Sequence, residues 1–178
     1  NAATGAMTSL GLAGETVTPS FVALHPNHRF LYAVGEVSSF EGKPGGAVTA
    51  FAIDSETGKL TLLNQQPSVG AGPCHLVVDR SGTHVLVANY GGGSTAALSL
   101  REDGRLGEAT AFIQHSGSST NAQRQQAPHA HGIYLDAANR FAFVPDLGLD
   151  KVLVYRFDPA KGSLVPNDPP SASVKIST

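Results

Sequence analysis

Two histidines two residues apart, His129 and His131, close the run R-Q-Q-A-P-H-A-H that begins at Arg124. An imidazole titrates near neutrality and can take a proton from an attacking water. The guanidinium of Arg124 suits a bidentate contact with a phosphate or carboxylate. Together these types could hold an acidic substrate and hydrolyse it. Each has a structural alternative as well: a histidine bonded to loop backbone, an arginine in solvent. On an extended backbone the H-x-H pair lies on one side and could bind a metal. No third ligand stands in a clear motif, so no metal and no cofactor is expected. Other chemistries lack their residues. No G-x-S-x-G occurs, which argues against a serine esterase. Neither a helix nor a lysine follows Gly91–Gly93, so a P-loop reading fails. Cys74 has no sequence partner that would activate it and is expected to be buried.

These residues sit on a repeat. The segments beginning at Pro19, Pro73 and Ala130 align, each reading apolar strand, polar turn, apolar strand. Pro19 and Pro73 stand 54 residues apart, and Asp79 and Asp136 stand 57 apart. His25, Asp79 and Asp136 share one turn position. A second marker recurs out of phase: T-G-A-M, T-G-K-L, D-G-R-L and K-G-S-L, at Thr4, Thr57, Asp103 and Lys161. Glycine there supplies positive φ without steric cost. Each unit is thus four antiparallel strands, A to D. In the first they are Phe21–Leu24, Leu31–Val34, Val48–Ile53 and Leu60–Asn64. The third unit starts with a strand over Gly132–Leu135 and continues with Phe141–Val144. Four strands repeating at this period predict β-propeller blades in an all-β chain. A single β-sandwich explains the strand spacing but not two interleaved markers.

The expected division is residues 1–18 as the outer strand of a preceding blade, then blades over 19–69, 70–116 and 117–178. Three blades do not close a ring of about 4–8. The count therefore predicts part of one propeller domain, close to half of seven blades.

A meander brings the D-to-A and B-to-C loops to one face of the ring. That face has the long, irregular loops, where function tends to sit. It carries Glu36, His75, Asn89, Arg124, His129, His131 and Asp146. His131 starts an inner strand and can point into the funnel at the ring axis. His75 takes the neighbouring edge position one blade earlier, to line the funnel or bond between blades. Asn89 and Asp146 end matching strands, suited to satisfying loop N–H groups or to touching substrate. Glu36 is comparable.

Composition bounds the partners. Of 178 residues 41% are hydrophobic and 15% charged, with a net charge of −2, which suits a soluble globular protein. No Lys/Arg cluster exists, so nucleic acid is not an expected partner. No apolar run approaches the roughly 18 residues of a membrane span. Asn1–Leu10 lacks the basic and apolar regions of a signal peptide. The one cysteine excludes an intrachain disulfide and fits a cytoplasmic protein.

The runs G-P-C-H-L-V-V-D-R-S-G, V-L-V-A-N-Y-G-G-G-S, R-Q-Q-A-P-H-A-H-G and F-V-P-D-L-G-L-D-K-V, with H-P-N-H-R-F-L-Y-A-V-G-E, carry a resemblance. Over nearly its whole length the chain resembles the lactonase family of seven-bladed β-propellers. That family is typified by bacterial cytoplasmic 6-phosphogluconolactonases and includes fungal carboxymuconate cyclases. The resemblance implies hydrolysis of an acidic sugar lactone, foremost 6-phosphogluconolactone to 6-phosphogluconate, without metal or cofactor. It implies a catalytic role for the second histidine of P-H-x-H, His131. Arg124, His129, His75, Asn89, Asp146 and Glu36 are the candidate substrate contacts. The family's other proposed catalytic residues, an Arg and a Glu, belong to a blade beyond this sequence. Glu36 holds the equivalent place in another blade, and their role is not transferred to it. The alternatives are a lactone-forming cyclase and a non-catalytic propeller serving as an interaction platform.

Overall fold

The computed structural model describes residues 3–9 and 11–174. Three four-stranded antiparallel sheets follow one another along the chain. The first is built from β1 (Pro19–Leu24), β2 (Phe30–Gly35), β5 (Ala47–Ile53) and β6 (Leu60–Pro67), with β3 (Ser39–Phe40) and β4 (Lys43–Pro44) forming a small ladder in its long B-to-C loop. The second comprises β7 (Pro73–Val78), β8 (His84–Asn89), β9 (Ser94–Leu100) and β10 (Leu106–Gln114). The third comprises β11 (Tyr134–Leu135), β12 (Phe141–Asp146), β13 (Lys151–Asp158) and β14 (Ser163–Ser173). Each sheet is a meander, the blade expected from the repeat. No helix among the described residues is long and apolar enough to cross a membrane.

The cores lie between blades. β8 is buried at every position, because alternate side chains point to opposite faces. Val85 and Val87 join Phe30, Tyr32, Val48 and Leu98 against the first blade. Leu86 and Ala88 join Ile133, Val144, Tyr155 and Phe157 against the third. A strand buried on both faces reads as a continuous apolar run, which is what V-L-V-A is. Each large side chain so buried contributes roughly 1.5–3 kcal/mol. Polar clamps set the register of blade on blade. Tyr32 Oη donates to Gly104 O at 3.0 Å. Asn64 accepts from Leu106 N at 3.0 Å and donates to Leu106 O at 2.8 Å.

The A-to-B turns repeat one construction. Oδ1 of Asp79 accepts from Thr83 N and His84 N, and Oδ1 of Asp136 accepts from Arg140 N and Phe141 N. Three residues on, the backbone turns to positive φ at His28, Gly82 and Asn139 (60°, 70° and 59°). Glycine accepts that conformation freely, and asparagine and histidine are among the side chains that adopt it most often. Asn139 also reaches back one blade: its amide donates to Asp79 Oδ2 at 2.9 Å and accepts from Arg80 N.

Three expectations differ from the structure. Residues 3–9 and 11–18 hold no strand. The stretch around Ala13 instead lies along the first blade, with Leu60 N bonded to Ala13 O at 2.9 Å and Thr16 Oγ1 to Thr49 Oγ1 at 2.9 Å. The strand over Gly132–Leu135 is cut to Tyr134–Leu135, preceded by a single bridge between Ala130 and Asp146. Pro145 brings no N–H to the ladder, and Ile133 N donates to His75 Nδ1 at 3.3 Å. Cys74 is half-buried rather than enclosed, and it borders the cleft described next.

Candidate functional site

The repeat register brings equivalent positions of successive blades together. Cys74 and His131 are the second residues of aligned inner segments, and Glu36, Tyr90 and Leu147 each directly follow strand B. With Arg124 these five line one cleft of about 230 Å³. Of the seven residues singled out from sequence, the cleft gathers Glu36, Arg124 and His131.

The loop that carries His131 is held on several sides. His131 N donates to Pro145 O at 3.0 Å, and Leu147 N donates to His129 O at 2.9 Å. Gly93 has φ +56°, and a Cβ there would collide with the carbonyl of Pro128; one on Gly148 would collide with that of Ala127. The two glycines let adjacent backbone close directly on Ala127 and Pro128, where P-H-A-H begins. Gln125 is buried and spans the start of the same loop. It donates to Leu147 O at 2.8 Å and Asp150 Oδ1 at 2.7 Å, and accepts from Asn121 N at 2.8 Å. Arg124 thus projects from an anchored backbone while remaining exposed.

Tyr90 sits between the two histidines. Its ring stacks on His129 at 4.7 Å and meets His131 edge-on at 5.7 Å. His129 Nδ1 donates to Tyr90 O at 3.0 Å, so His129 is spent in part on the wall itself. His131 is exposed and makes no side-chain hydrogen bond that would occupy its ring nitrogens with a protein partner among the described residues. The Cys74 thiol donates to the carbonyls of Ala130 and His131 at 3.5 Å. Burial, with the nearby Glu36 carboxylate, pushes that thiol up to about 11, which keeps it protonated at neutral pH.

The other candidates stand apart from the cleft. His75 is sandwiched between Phe21 at 4.1 Å and Tyr134 at 4.8 Å. Burial, and then the neighbouring charge of His131, push its pKa below the usual histidine value, so it is neutral at pH 7. Asn89 is wholly buried, donating to Ser68 O and Ser94 Oγ at 3.2 Å. Asp146 is 2% exposed. Its Oδ1 accepts from His129 N at 2.7 Å and Gly148 N at 3.0 Å, and its Oδ2 meets His115 Nδ1 at 2.6 Å. Both Asn89 and Asp146 serve backbone and neighbouring blades. Among the described residues no three His, Cys, Asp or Glu side chains converge as a metal site. Sequence reasoning missed Tyr90, Leu147, Gln125 and His115. The repeat register could have found Tyr90 and Leu147, since both align with Glu36.

A model of the family described as lactonase, 7-bladed β-propeller, matches residues 1–177. The chain belongs to that family. It is 34% identical over 145 residues to 6-phosphogluconolactonase of Bacillus subtilis, covering 82% of this chain and 40% of that protein. To 6-phosphogluconolactonase of Formosa agariphila it is 31% identical over 150 residues, covering 84% of this chain and 42% of that protein. The solved periplasmic gluconolactonase of Pseudomonas aeruginosa superposes with a TM-score of 0.87 at 29% identity, over 98% of this chain and 50% of that one. This lactonase-family chain therefore spans 40–50% of the length of these relatives.

Proposed function

We propose that the protein hydrolyses a sugar lactone, 6-phosphogluconolactone to 6-phosphogluconate, with His131 as general base. The observation that carries this reading is the shared cleft of His131 and Arg124. An exposed imidazole and a guanidinium from two points of one anchored loop border a single open cleft. The names of the Bacillus and Formosa relatives support the substrate.

His131 takes a proton from water as its oxygen attacks the lactone carbonyl carbon. The ring C–O bond then breaks, and the departing alkoxide recovers the proton from the imidazolium. Arg124 holds the phosphate or the developing oxyanion. Tyr90 fixes the outer wall, His129 supports it, and His75 lies neutral beside His131 without adding a second positive charge. Glu36 opposes a second anion and so favours one orientation of an acidic substrate. A phosphorylated substrate does not cross membranes freely, so this reading goes with a cytoplasmic setting; an unphosphorylated gluconolactone would suit a periplasmic one.

The test is hydrolysis of 6-phosphogluconolactone by the full-length protein, wild type against His131→Ala, with spontaneous hydrolysis subtracted. A loss of about 100-fold or more in kcat/KM with the fold intact is expected for a general base. Wild-type inactivity on every sugar lactone would replace this reading with the cyclase or the interaction platform.

A further inference from the structure

The P-H-A-H loop depends on a buried pair that lies behind it. The side chains of His115 and Asp146 are both wholly buried, with Nδ1 and Oδ2 2.6 Å apart. The carboxylate accepts, so Nδ1 carries the hydrogen. The other carboxylate oxygen takes the N–H of His129 and of Gly148. Asp146 thereby ties the end of β12 to the P-H-A-H segment at His129, two residues before His131, whose N–H bonds to Pro145 O.

Two observations single out His115. The first is its Nε2, a buried nitrogen without a hydrogen-bond partner among the described residues. Its ring stacks on Tyr155 at 6.2 Å, a contact that a phenylalanine would make without burying an orphaned polar atom. Packing alone therefore does not explain a histidine here, whereas the Nδ1 bond to Asp146 does. The second comes from the repeat. His115 N bonds to Gly93 O as Ser68 N bonds to Gly46 O, so Ser68 and His115 are equivalent. At the junction of the first two blades, the Asn89 amide nitrogen donates to the backbone carbonyl of Ser68 and to Ser94 Oγ, and its Oδ1 has no partner among the described residues, since Ser68 brings no side chain to it. At the next junction the same two positions have become a carboxylate and an imidazole, and this is the junction that carries His129 and His131.

We propose that His115 is a positioning residue for the reaction. It fixes the Asp146 carboxylate so that Oδ1 stays on the His129 and Gly148 amides, and this sets where His131 stands in the cleft. The inference rests on the reading of His131 as the base.

The test uses the full-length protein with His115→Phe, which keeps an aromatic ring, and His115→Asn, whose amide nitrogen stands near the place of Nδ1. In His115→Phe the His129 and Gly148 amides should exchange with deuterium at least about tenfold faster, while β8 amides keep their protection. kcat should fall about tenfold or more with KM within about twofold, as expected when a base is displaced and not removed. His115→Asn should restore both measurements to within about threefold. Unchanged protection of the two amides in His115→Phe overturns the proposal, as does His115→Asn behaving no better. Should His115→Phe fail to fold, Asn against Gln decides: Asn must protect the two amides better, and equal protection overturns the proposal. If the wild type hydrolyses no sugar lactone, the reading of function falls, and amide exchange still judges the tie between His115 and the loop.

Discussion

Cys74 and His131 occupy the same position on neighbouring inner segments, and the Cys74 thiol donates to the His131 carbonyl at 3.5 Å. One repeat position has thus become a half-buried donor in one blade and a solvent-facing imidazole in the next. The thiol lies under the cleft, and its chemistry follows from that place. With its pKa at about 11, roughly one molecule in a thousand is thiolate at pH 8. Iodoacetamide should label Cys74 in the folded protein about 100-fold more slowly than in urea. The sign for stability follows from the same shift. The folded protein holds the proton more tightly than the unfolded chain, so this stability is complete below about pH 8.5 and is lost as pH rises toward 11. Tyr155, pushed up to about 12 by burial and by Asp146, adds to the same alkaline loss. Thermal melts from pH 7 to pH 11 should show a falling midpoint, with a shallower slope in Cys74→Ala.

Asp79 ties two blades. Burial pushes its carboxyl up, but bonds from Ser81, Asn139, His84 and Thr83 outweigh this and hold its pKa below the usual carboxylate value. That stability is present above about pH 4 and lost as pH falls further. Asp79→Asn should cost about 2–3 kcal/mol at pH 7, because an amide donor replaces an acceptor of several N–H groups. Its unfolding free energy, from urea titrations, should fall less steeply than wild type below pH 4.

Gly93→Ala sets a Cβ against the Pro128 carbonyl at a φ of +56°. Stability should drop by about 1–3 kcal/mol from strain and displaced backbone. Because Pro128 precedes His129, activity at a temperature well below the melt should fall as well. Calorimetry and initial rates on one preparation separate the two effects.

Arg124→Ala should raise KM for 6-phosphogluconolactone by about tenfold or more, the worth of a charge-assisted hydrogen bond to an anion. The rise for unphosphorylated gluconolactone should be smaller. Equal rises would move Arg124 from the phosphate to the lactone ring. Arg124 is exposed, so its melting temperature should not change.

Much of this protein was legible because its information is local. Alternating apolar residues, turn aspartates and glycines at positive φ act within a few residues of themselves, and they define the blade strands and the two kinds of turn. Strand direction alone put Glu36, Arg124 and His131 on one loop face together with four other candidates, and the docked blades decided which of the seven share a cleft. Packing between blades decided the rest. Asn89 and Asp146 end matching strands as Glu36 nearly does, yet both are enclosed because a neighbouring blade supplies Ser68 and His115 against them. The inner strand of the third blade is short because Pro145, on its partner, has no N–H to offer. No local pattern announces that His115, 31 positions before Asp146, meets it at 2.6 Å. Such a pair exists only once the blades have docked, since burial and the loss of water are what give a hydrogen bond between distant residues its hold on a loop.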